Sequence, residues 1–354
     1  MNKLLLVALT IISFNIFADE AKTLKSTKWD GYNNPFKIDA NLNDVFSSLP
    51  LKGDTSKSGF GWPAYFWANK KGGIAQRWSS KDPQHFEYES PSLYSLKSMS
   101  EKKISQLSPA EKFDILNGRY DYPTVEKVWE QTRKGSKTWH GICHGAAPSG
   151  LNHKEPSAKT ISNADGISIT FHSSDIKALV AYYYAKISNL RSTQIGRRCF
   201  AGRYSVLRFR KGCKDTHPAT MHIIMANRLG LTSKGYIADI DRLKQVWNHV
   251  AVKYVSKVVS RTSDVSKAVT GAFKRIKIVT KVSYTGGVDP SELVVLGTRN
   301  EKWDVRKYEY ILDLDVNDKI LGGEWISDER PDFLWVLGRE TFDHNYFGKV
   351  KELL

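Results

Sequence analysis

Cysteine is scarce in this chain, with three among 354 residues, Cys143, Cys199 and Cys213. So few cysteines exclude a small disulfide-rich scaffold, and no close-spaced cluster of Cys and His has the spacing of a zinc site. The sequence also lacks a glycine-rich phosphate loop, an EF-hand calcium loop and a serine nucleophile elbow. These absences exclude several common enzyme classes.

Acidic residues are in the minority. Asp and Glu number 37 against 53 Lys and Arg, which gives a formal net charge of +16. This excess favours attraction to anionic surfaces, such as a cell envelope. The basic residues are scattered and no docking motif accompanies them, so we predict no nucleic-acid partner. The hydrophobic fraction of 41% is typical of soluble globular proteins with a sizeable core.

Long apolar runs are absent beyond the N-terminus, so no transmembrane segment is predicted. The basic start with Lys3, the apolar run 4–17 and the small residue Ala18 are typical of a secretory signal peptide, cleaved after about Ala18. Lys3 is the one charged residue in this segment, so its removal lowers the net charge from +16 to +15. The mature protein is expected to be secreted or periplasmic.

Helical patterns come first along the chain and strand patterns later, which predicts an α+β fold with N-terminal helices and a mostly antiparallel C-terminal sheet. One helix begins at the capping box of Ser108 and Glu111, and another at Ser174-Asp175. The predicted helices therefore start at 109, cover 124–133 and cover 176–190. The predicted strands cover 221–228 and 236–241 as one hairpin, then 250–259, 277–284 and 308–316.

Export makes the three cysteines informative, because an oxidising compartment favours pairing. Cys199 and Cys213 flank a predicted strand at 203–210 and are the natural pair, although a disulfide to Cys143 remains open. Cys143 would then be a free thiol, between Gly141 and Gly145, whose lack of bulk would let a carbonyl approach. A helix that starts at Cys143 would favour the thiolate. The alternative is a buried structural cysteine.

A thiol nucleophile needs a base and a group that orients the base. We predict His222 as the base, because the hairpin would bring Asp239 of the returning strand beside its ring. The alternative is a core histidine without a catalytic role. Other candidates for base or carboxylate are His140, His144, His217, His249 and Asp241.

Several motifs along the chain match one known family in the same order. They are Trp62–Trp67, Gly73–Trp78, Ser108–Lys112, Gly141–Gly145 with Ala147-Pro148, Glu155-Pro156, Asp175–Leu179, His222 through Asn227, Gly230 and Asp239 to Val246–Asn248, Tyr308–Tyr310, Gly322–Trp325 and Pro331–Phe333. With these motifs the chain resembles the secreted transglutaminases of the oomycete elicitor type, which also occur in bacteria. The resemblance covers nearly all of the mature chain.

The resemblance implies a papain-like thiol site in which Cys143, His222 and Asp239 are nucleophile, base and orienting carboxylate. It implies acyl transfer from a glutamine carboxamide, through a Cys143 thioester, to a lysine amine of a protein or peptide substrate. Some relatives require calcium, although no residues here indicate a site for it. Ala146 replaces a tryptophan that the family often has. The implied organisation is a signal peptide (1–18), an N-terminal arm with an aromatic cluster (19–105) and a catalytic unit (106–354).

Two other interpretations remain open at this point. A thiol peptidase, amidase or glutamine deamidase could use the same triad, because these enzymes differ only in what resolves the thioester. A catalytically silent protein could instead bind an envelope polymer through its basic surface and aromatic cluster. The presence of Cys143, His222 and Asp239 argues against a pure binding protein, since binding needs none of them.

Overall fold

The computed structural model describes residues 31–198, 215–241 and 245–354. The predicted signal peptide, the predicted strand at 203–210 and the proposed pair Cys199 and Cys213 lie outside these ranges. Within the described ranges, no helix is long and apolar enough to cross a membrane.

Most helices lie in the first half of the chain, as predicted. The α-helices of the described residues are α1 (Leu93–Ser98), α2 (Glu101–Ser105), α3 (Pro109–Leu116), α4 (Pro123–Gln131), α5 (Cys143–Asn152), α6 (Ser173–Tyr182) and α7 (Pro218–Met225). Helices α6 and α7 continue into π-helical turns, Tyr183–Ile187 and Ala226–Leu231. Short 3₁₀ helices occur at Pro35–Lys37, Phe46–Ser48, Asn69–Lys71, Gly73–Ala75 and Phe347–Leu353.

Helix α3 confirms the predicted capping box. The Ser108 hydroxyl accepts the backbone N–H of Glu111 at 3.2 Å, and the Glu111 carboxylate accepts the N–H of Ser108 at 2.9 Å. Arg77 donates to the same carboxylate, with Nε 2.9 Å from Oε2. Because the whole helix is buried, this charged cap is an internal anchor of the helical layer.

Helix α6 begins three residues before its predicted start at Ile176. His172 is the N-cap residue, and Asp175 closes the capping box by accepting the N–H of His172 at 2.7 Å. The Asp175 signal was therefore right, but it marks the third residue of the helix rather than its cap.

The sheet is antiparallel throughout. The strands of the described residues are β1 (Lys52–Asp54), β2 (Lys159–Ser162), β3 (Ser168–Phe171), β4 (Thr193–Gly196), β5 (Tyr236–Asp239), β6 (Asn248–Thr262), β7 (Lys274–Thr285), β8 (Trp303–Leu314), β9 (Ile320–Trp325) and β10 (Phe333–Val336). The main sheet has the order β4-β10-β5-β6-β7-β8-β9, with β1 added to β6, and β2 pairs with β3 separately. The predicted strands 236–241, 250–259, 277–284 and 308–316 are confirmed as β5 to β8.

The predicted hairpin between 221–228 and 236–241 is wrong. Residues 221–228 lie in α7 and its π-helical turn, and β5 pairs with β6 and β10 instead. The start of α7 did carry a signal, since His217 is the N-cap residue and Pro218 follows at the first helical position. The run after Pro218 is buried on every side, so it shows no helical periodicity. A short apolar run fits a strand equally well.

Strand β5 separates two packed layers. Tyr236 and Ala238 pack against α7 in the larger core, whereas Ile237 packs with Ala147 of α5. Because side chains alternate along a strand, Asp239 lies on the same face as Ile237. Helices α5 and α7 therefore lie on opposite faces of the sheet, and this separation decides which residues can meet Cys143.

Candidate active site

Cys143 is the first residue of α5, and its thiol is free and half-buried. Its Sγ lies 3.7 Å from the carbonyl oxygen of Val246, to which it donates, and the side-chain amide of Asn248 lies 3.6 Å from Sγ. The thiol therefore points away from its own helix towards the start of β6. A thiol in this setting can act as a nucleophile.

The two glycines beside Cys143 serve packing rather than substrate approach. A β-carbon on Gly141 would lie 2.3 Å from the Phe66 carbonyl oxygen, and one on Gly145 would lie 2.0 Å from that of Ala181. The Phe66 oxygen also accepts the N–H of Ile142 at 2.8 Å. Backbone atoms fill the space that the sequence analysis left for a substrate, and these contacts fix the start of α5.

Asp239 and Asn248 stand opposite each other in the β5–β6 pairing, on the face that carries α5. Asp239 Oδ1 accepts the backbone N–H groups of Trp247 at 2.9 Å and Asp241 at 3.2 Å. Asn248 Oδ1 accepts the indole N–H of Trp335 at 2.9 Å. The Trp335 bond orients the Asn248 amide so that its Nδ2 faces the thiol.

Burial controls the charge of both groups at this site. It raises the pKa of the Cys143 thiol, although N–H groups of Asn248 favour the thiolate; the nearby Asp239 charge raises that pKa further. Burial also raises the pKa of Asp239 to about 7, against the lowering effect of the Trp247 and Asp241 N–H groups. Contrary to the sequence expectation, the start of α5 does not make a resting thiolate.

Cys143 lies in a narrow cleft of about 50 Å³, here called the thiol cleft. One side, the aromatic wall, is formed by Trp62, Ala64 and Phe66, and another, the glycine wall, by Thr285, Gly286 and Gly287. The remaining lining residues are Ala146, Ala147, Trp247, Asn248 and His249. The aromatic cluster predicted from the sequence is thus partly cleft wall, and Phe66 packs edge-on against Trp247 with ring centroids 5.5 Å apart.

The structure brings Cys143 and Asp239 together but does not bring His222 to them. His222 lies on α7, across the sheet, where its Nδ1 is 2.8 Å from the Tyr310 hydroxyl and its ring packs on Phe46. Burial lowers the pKa of His222 to about 3. The strand assignment had placed this ring beside Asp239, and the helix places it in the core.

The remaining histidine candidates do not bond to the site either. Among the residues described, no histidine hydrogen-bonds to Cys143 or Asp239. His249 borders the thiol cleft, but strand alternation turns its side chain to the face opposite Asn248. There its Nδ1 contacts the Thr285 carbonyl, and the charges of Asp304 and Arg306 act on it. His217 caps α7, and His140 packs on Trp139. His144, next to the nucleophile, is exposed on α5.

The part of the chain that the structure describes contains no group of three or more His, Cys, Asp or Glu side chains able to hold a metal ion. The acidic residues near the end of β8 have other partners. Asp313 accepts from Arg275 Nε at 2.8 Å, and Asp315 accepts the N–H groups of Asn317 and Lys319 in the turn before β9.

This arrangement defines a thiol site at the start of a helix, packed on an antiparallel sheet. The transglutaminase elicitor family model matches residues 124–342, which is more than half of the chain, so the protein belongs to this family. Its fold is similar to that of the crystal structure of the GP42 transglutaminase from Phytophthora sojae. That match has a TM-score of 0.67 and 19% identity, and covers 91% of this chain and 97% of the other. No curated protein sequence matches this chain.

Asn248 and Trp335 were missed as site residues by the sequence analysis. Asn248 ends the Val246–Asn248 motif, so its position was marked, but its contact with Cys143 spans 105 residues. Trp335 lies in an apolar strand where burial alone explains it. No pattern in the sequence marks Trp335 as a site residue.

We expect His222 to affect stability rather than chemistry. Its pKa is near 3 in the folded protein and about 6.5 when unfolded, so the unfolded state binds more protons between these values. His222→Phe should therefore gain stability relative to the parent protein as pH falls through this window, by up to about 1.4 kcal/mol per pH unit. Denaturant unfolding at several pH values measures this difference. The exposed His344→Gln serves as control, and a pH-independent difference for His222→Phe would contradict the assignment.

The charge of Asp239 should be visible in the reactivity of the thiol. Because a nearby carboxylate disfavours the thiolate, Asp239→Asn should lower the pKa of Cys143. The pH profile of Cys143 alkylation by iodoacetamide, followed by mass spectrometry, should shift to lower pH. Asp315→Asn, in the turn before β9, should leave that profile unchanged. An unchanged profile in Asp239→Asn would show that the Asp239 charge does not act on the pKa of the Cys143 thiol.

Proposed function

We propose that this protein is a transglutaminase that transfers the acyl group of a glutamine side chain to a primary amine through a thioester on Cys143. The observation that carries the proposal is the free Cys143 thiol at the start of α5, beside Asn248 and Asp239, in a chain of the transglutaminase elicitor family. The GP42 structure supports the same class through its fold.

In the proposed first step, Asp239 accepts the thiol proton and Sγ attacks the glutamine carboxamide carbon. Ammonia leaves with the proton that Asp239 held, and a thioester remains. An incoming amine then attacks the thioester and gives a proton to Asp239, and the returning proton restores the thiol. An aspartate with a pKa near 7 suits both directions of transfer near neutral pH.

Asn248 supplies the polar contacts of this mechanism. Its backbone and side-chain N–H groups both favour the thiolate form of Cys143, and Trp335 holds the amide in place. The N–H of Cys143, the first residue of α5, and the Asn248 amide would be two donors for the tetrahedral oxygen. We assign His222 no step in the reaction.

The aromatic lining favours transfer to an amine over hydrolysis. Phe66 and Trp247 pack together beside Cys143. Trp62, which also lines the cleft as part of the aromatic wall, is buried. Apolar walls suit the methylene groups of glutamine and limit the access of water to the thioester. The substrates would be proteins or peptides that bear glutamine and lysine, met outside the cytoplasm if 1–18 acts as a signal peptide.

The proposal predicts that labelled primary amine enters a glutamine-rich protein and that ammonia is released in equal amount. Cys143→Ala should abolish both, by at least about 10³-fold, without a change in thermal unfolding. Assays with calcium and with chelator would test metal dependence directly. Ammonia without amine incorporation would indicate a deamidase, and peptide cleavage would indicate a peptidase. Equal signals in the parent and in Cys143→Ala would contradict thiol catalysis.

The role of Asp239 predicts a pH dependence. A base must be deprotonated, so kcat/KM should rise with pH through about 7, with Asp241 and Arg198 as the other charges that act on this carboxylate. Asp239→Asn should lower kcat by about 10² to 10⁴-fold and remove the rise. His222→Phe should retain kcat at pH 8 within a few-fold. Loss of activity in His222→Phe with intact Asp239→Asn activity would reverse the assignment.

A further inference from the structure

The two walls of the thiol cleft belong to segments that contribute no reacting group. Residues 62–66 precede a 3₁₀ helix, and Thr285 ends β7 with Gly286 and Gly287 directly after it. They are joined by an isolated β-bridge between Ala64 and Gly287, with the Val288 N–H 3.5 Å from the Ala64 oxygen. One such contact leaves the position of both segments to be fixed from elsewhere.

A buried ion pair contacts the first of these segments and the chain at Val295 and Leu296, which follows the second segment. Lys177 of α6 pairs with Glu155, and their side chains are 3% and 5% exposed. Lys177 Nζ donates to the Pro63 carbonyl at 3.4 Å and lies 5.2 Å from the centre of the Trp62 ring. The lysine therefore holds the aromatic wall through both the backbone and a cation–π contact.

Glu155 holds the segment that follows the glycine wall. Its Oε1 accepts the Val295 N–H at 2.7 Å, and its Oε2 accepts the Leu296 N–H at 2.8 Å. Glu155 itself is anchored at its own N–H, which donates to Gly59 O at 2.9 Å, three residues before Trp62. Both carboxylate oxygens thus accept hydrogen bonds. The pair connects α6 to the aromatic wall through Lys177, and to the loop at Val295 and Leu296 through Glu155.

Stability alone does not account for such a pair. The cost of removing two charges from water often equals or exceeds their mutual attraction, so a buried ion pair adds little net stability. Its geometric specificity is the larger consequence, because each charge must stay where its partners are. Here the partners are the aromatic wall, for Lys177, and the backbone at Val295 and Leu296, for Glu155.

We propose that the Lys177–Glu155 pair positions the aromatic wall of the thiol cleft and so sets which acyl donors can reach Cys143. This inference rests on the proposed transglutaminase function for its kinetic consequence, but not for its structural one. Lys177 and Glu155 are positioning residues, since neither touches the thiol.

The chain offers a matched control in a second buried ion pair. Lys112 Nζ lies 2.6 Å from Asp175 Oδ2, and both side chains are fully buried. Its other partners, Trp78 Nε1 and the His172 N–H, belong to the helical layer, and none of these residues lines the thiol cleft. Loss of this pair should resemble the loss of Lys177–Glu155 in stability but not in cleft geometry.

The experiment compares Lys177→Met, Lys177→Arg and Glu155→Gln with Lys112→Met in the full chain. Two readouts are used: KM and kcat for a glutamine donor, and the ratio of Cys143 alkylation rates by a bulky maleimide and by iodoacetamide. Lys177→Met should change the alkylation ratio and raise KM by about 5-fold or more, with kcat nearly unchanged. Lys177→Arg should restore part of both values, and Glu155→Gln should act in the same direction because it removes the charge that holds Lys177 in place.

Lys112→Met should lower the unfolding temperature and leave both readouts unchanged. A lower unfolding temperature in Lys177→Met and Glu155→Gln, with unchanged alkylation ratio and KM, would overturn the positioning role. If the parent protein shows no acyl transfer, the proposed function fails, and the alkylation ratio still tests the positioning of the aromatic wall. Glu155→Gln provides that test if Lys177→Met does not fold.

Discussion

The pairing of Asp239 with Asn248 across β5 and β6 is the constraint on which the candidate site depends. It places a carboxylate and an amide side by side on the face that receives α5. A shift of this register by one residue would turn one of the two side chains to the face of α7. The hydrogen bond from the Ile142 N–H to the Phe66 carbonyl sets the start of α5. The Cys143 thiol at this helix start then contacts Asn248.

The sequence predicted those parts of the fold that carry local signals. The capping box at Ser108 and the strands β5 to β8 follow from cap residues and alternation. The segment after His217 failed because a fully buried helix and a buried strand have the same composition over eight residues. That single error placed His222 beside Asp239 in the prediction, whereas among the described residues no histidine hydrogen-bonds to Cys143 or Asp239.

The site differs from the triad that the family resemblance implies. Among the described residues, the side chain that hydrogen-bonds to the thiol is that of Asn248, and the charge of Asp239 acts on the same thiol. Residues that act through long-range contacts, such as Trp335 on Asn248, have no pattern in the sequence. Lys177 and Glu155 fall in matched motifs, but nothing in the sequence shows that they pair or that the fold buries them.

Burial favours loss of a proton on one face of the sheet, at His222, and retention of a proton on the other, at Asp239. Between about pH 4 and 6.5 an unfolded chain carries a charged aspartate at 239 and a charged histidine at 222, whereas the folded protein keeps both groups neutral. Folding in that range thus amounts to moving one proton from the α7 face to the α5 face, with no net uptake or release by this pair. Both side chains are therefore buried without charge. Because this pair binds the same number of protons in the folded and unfolded states, it adds no pH dependence to stability in this range until one of the two residues is replaced.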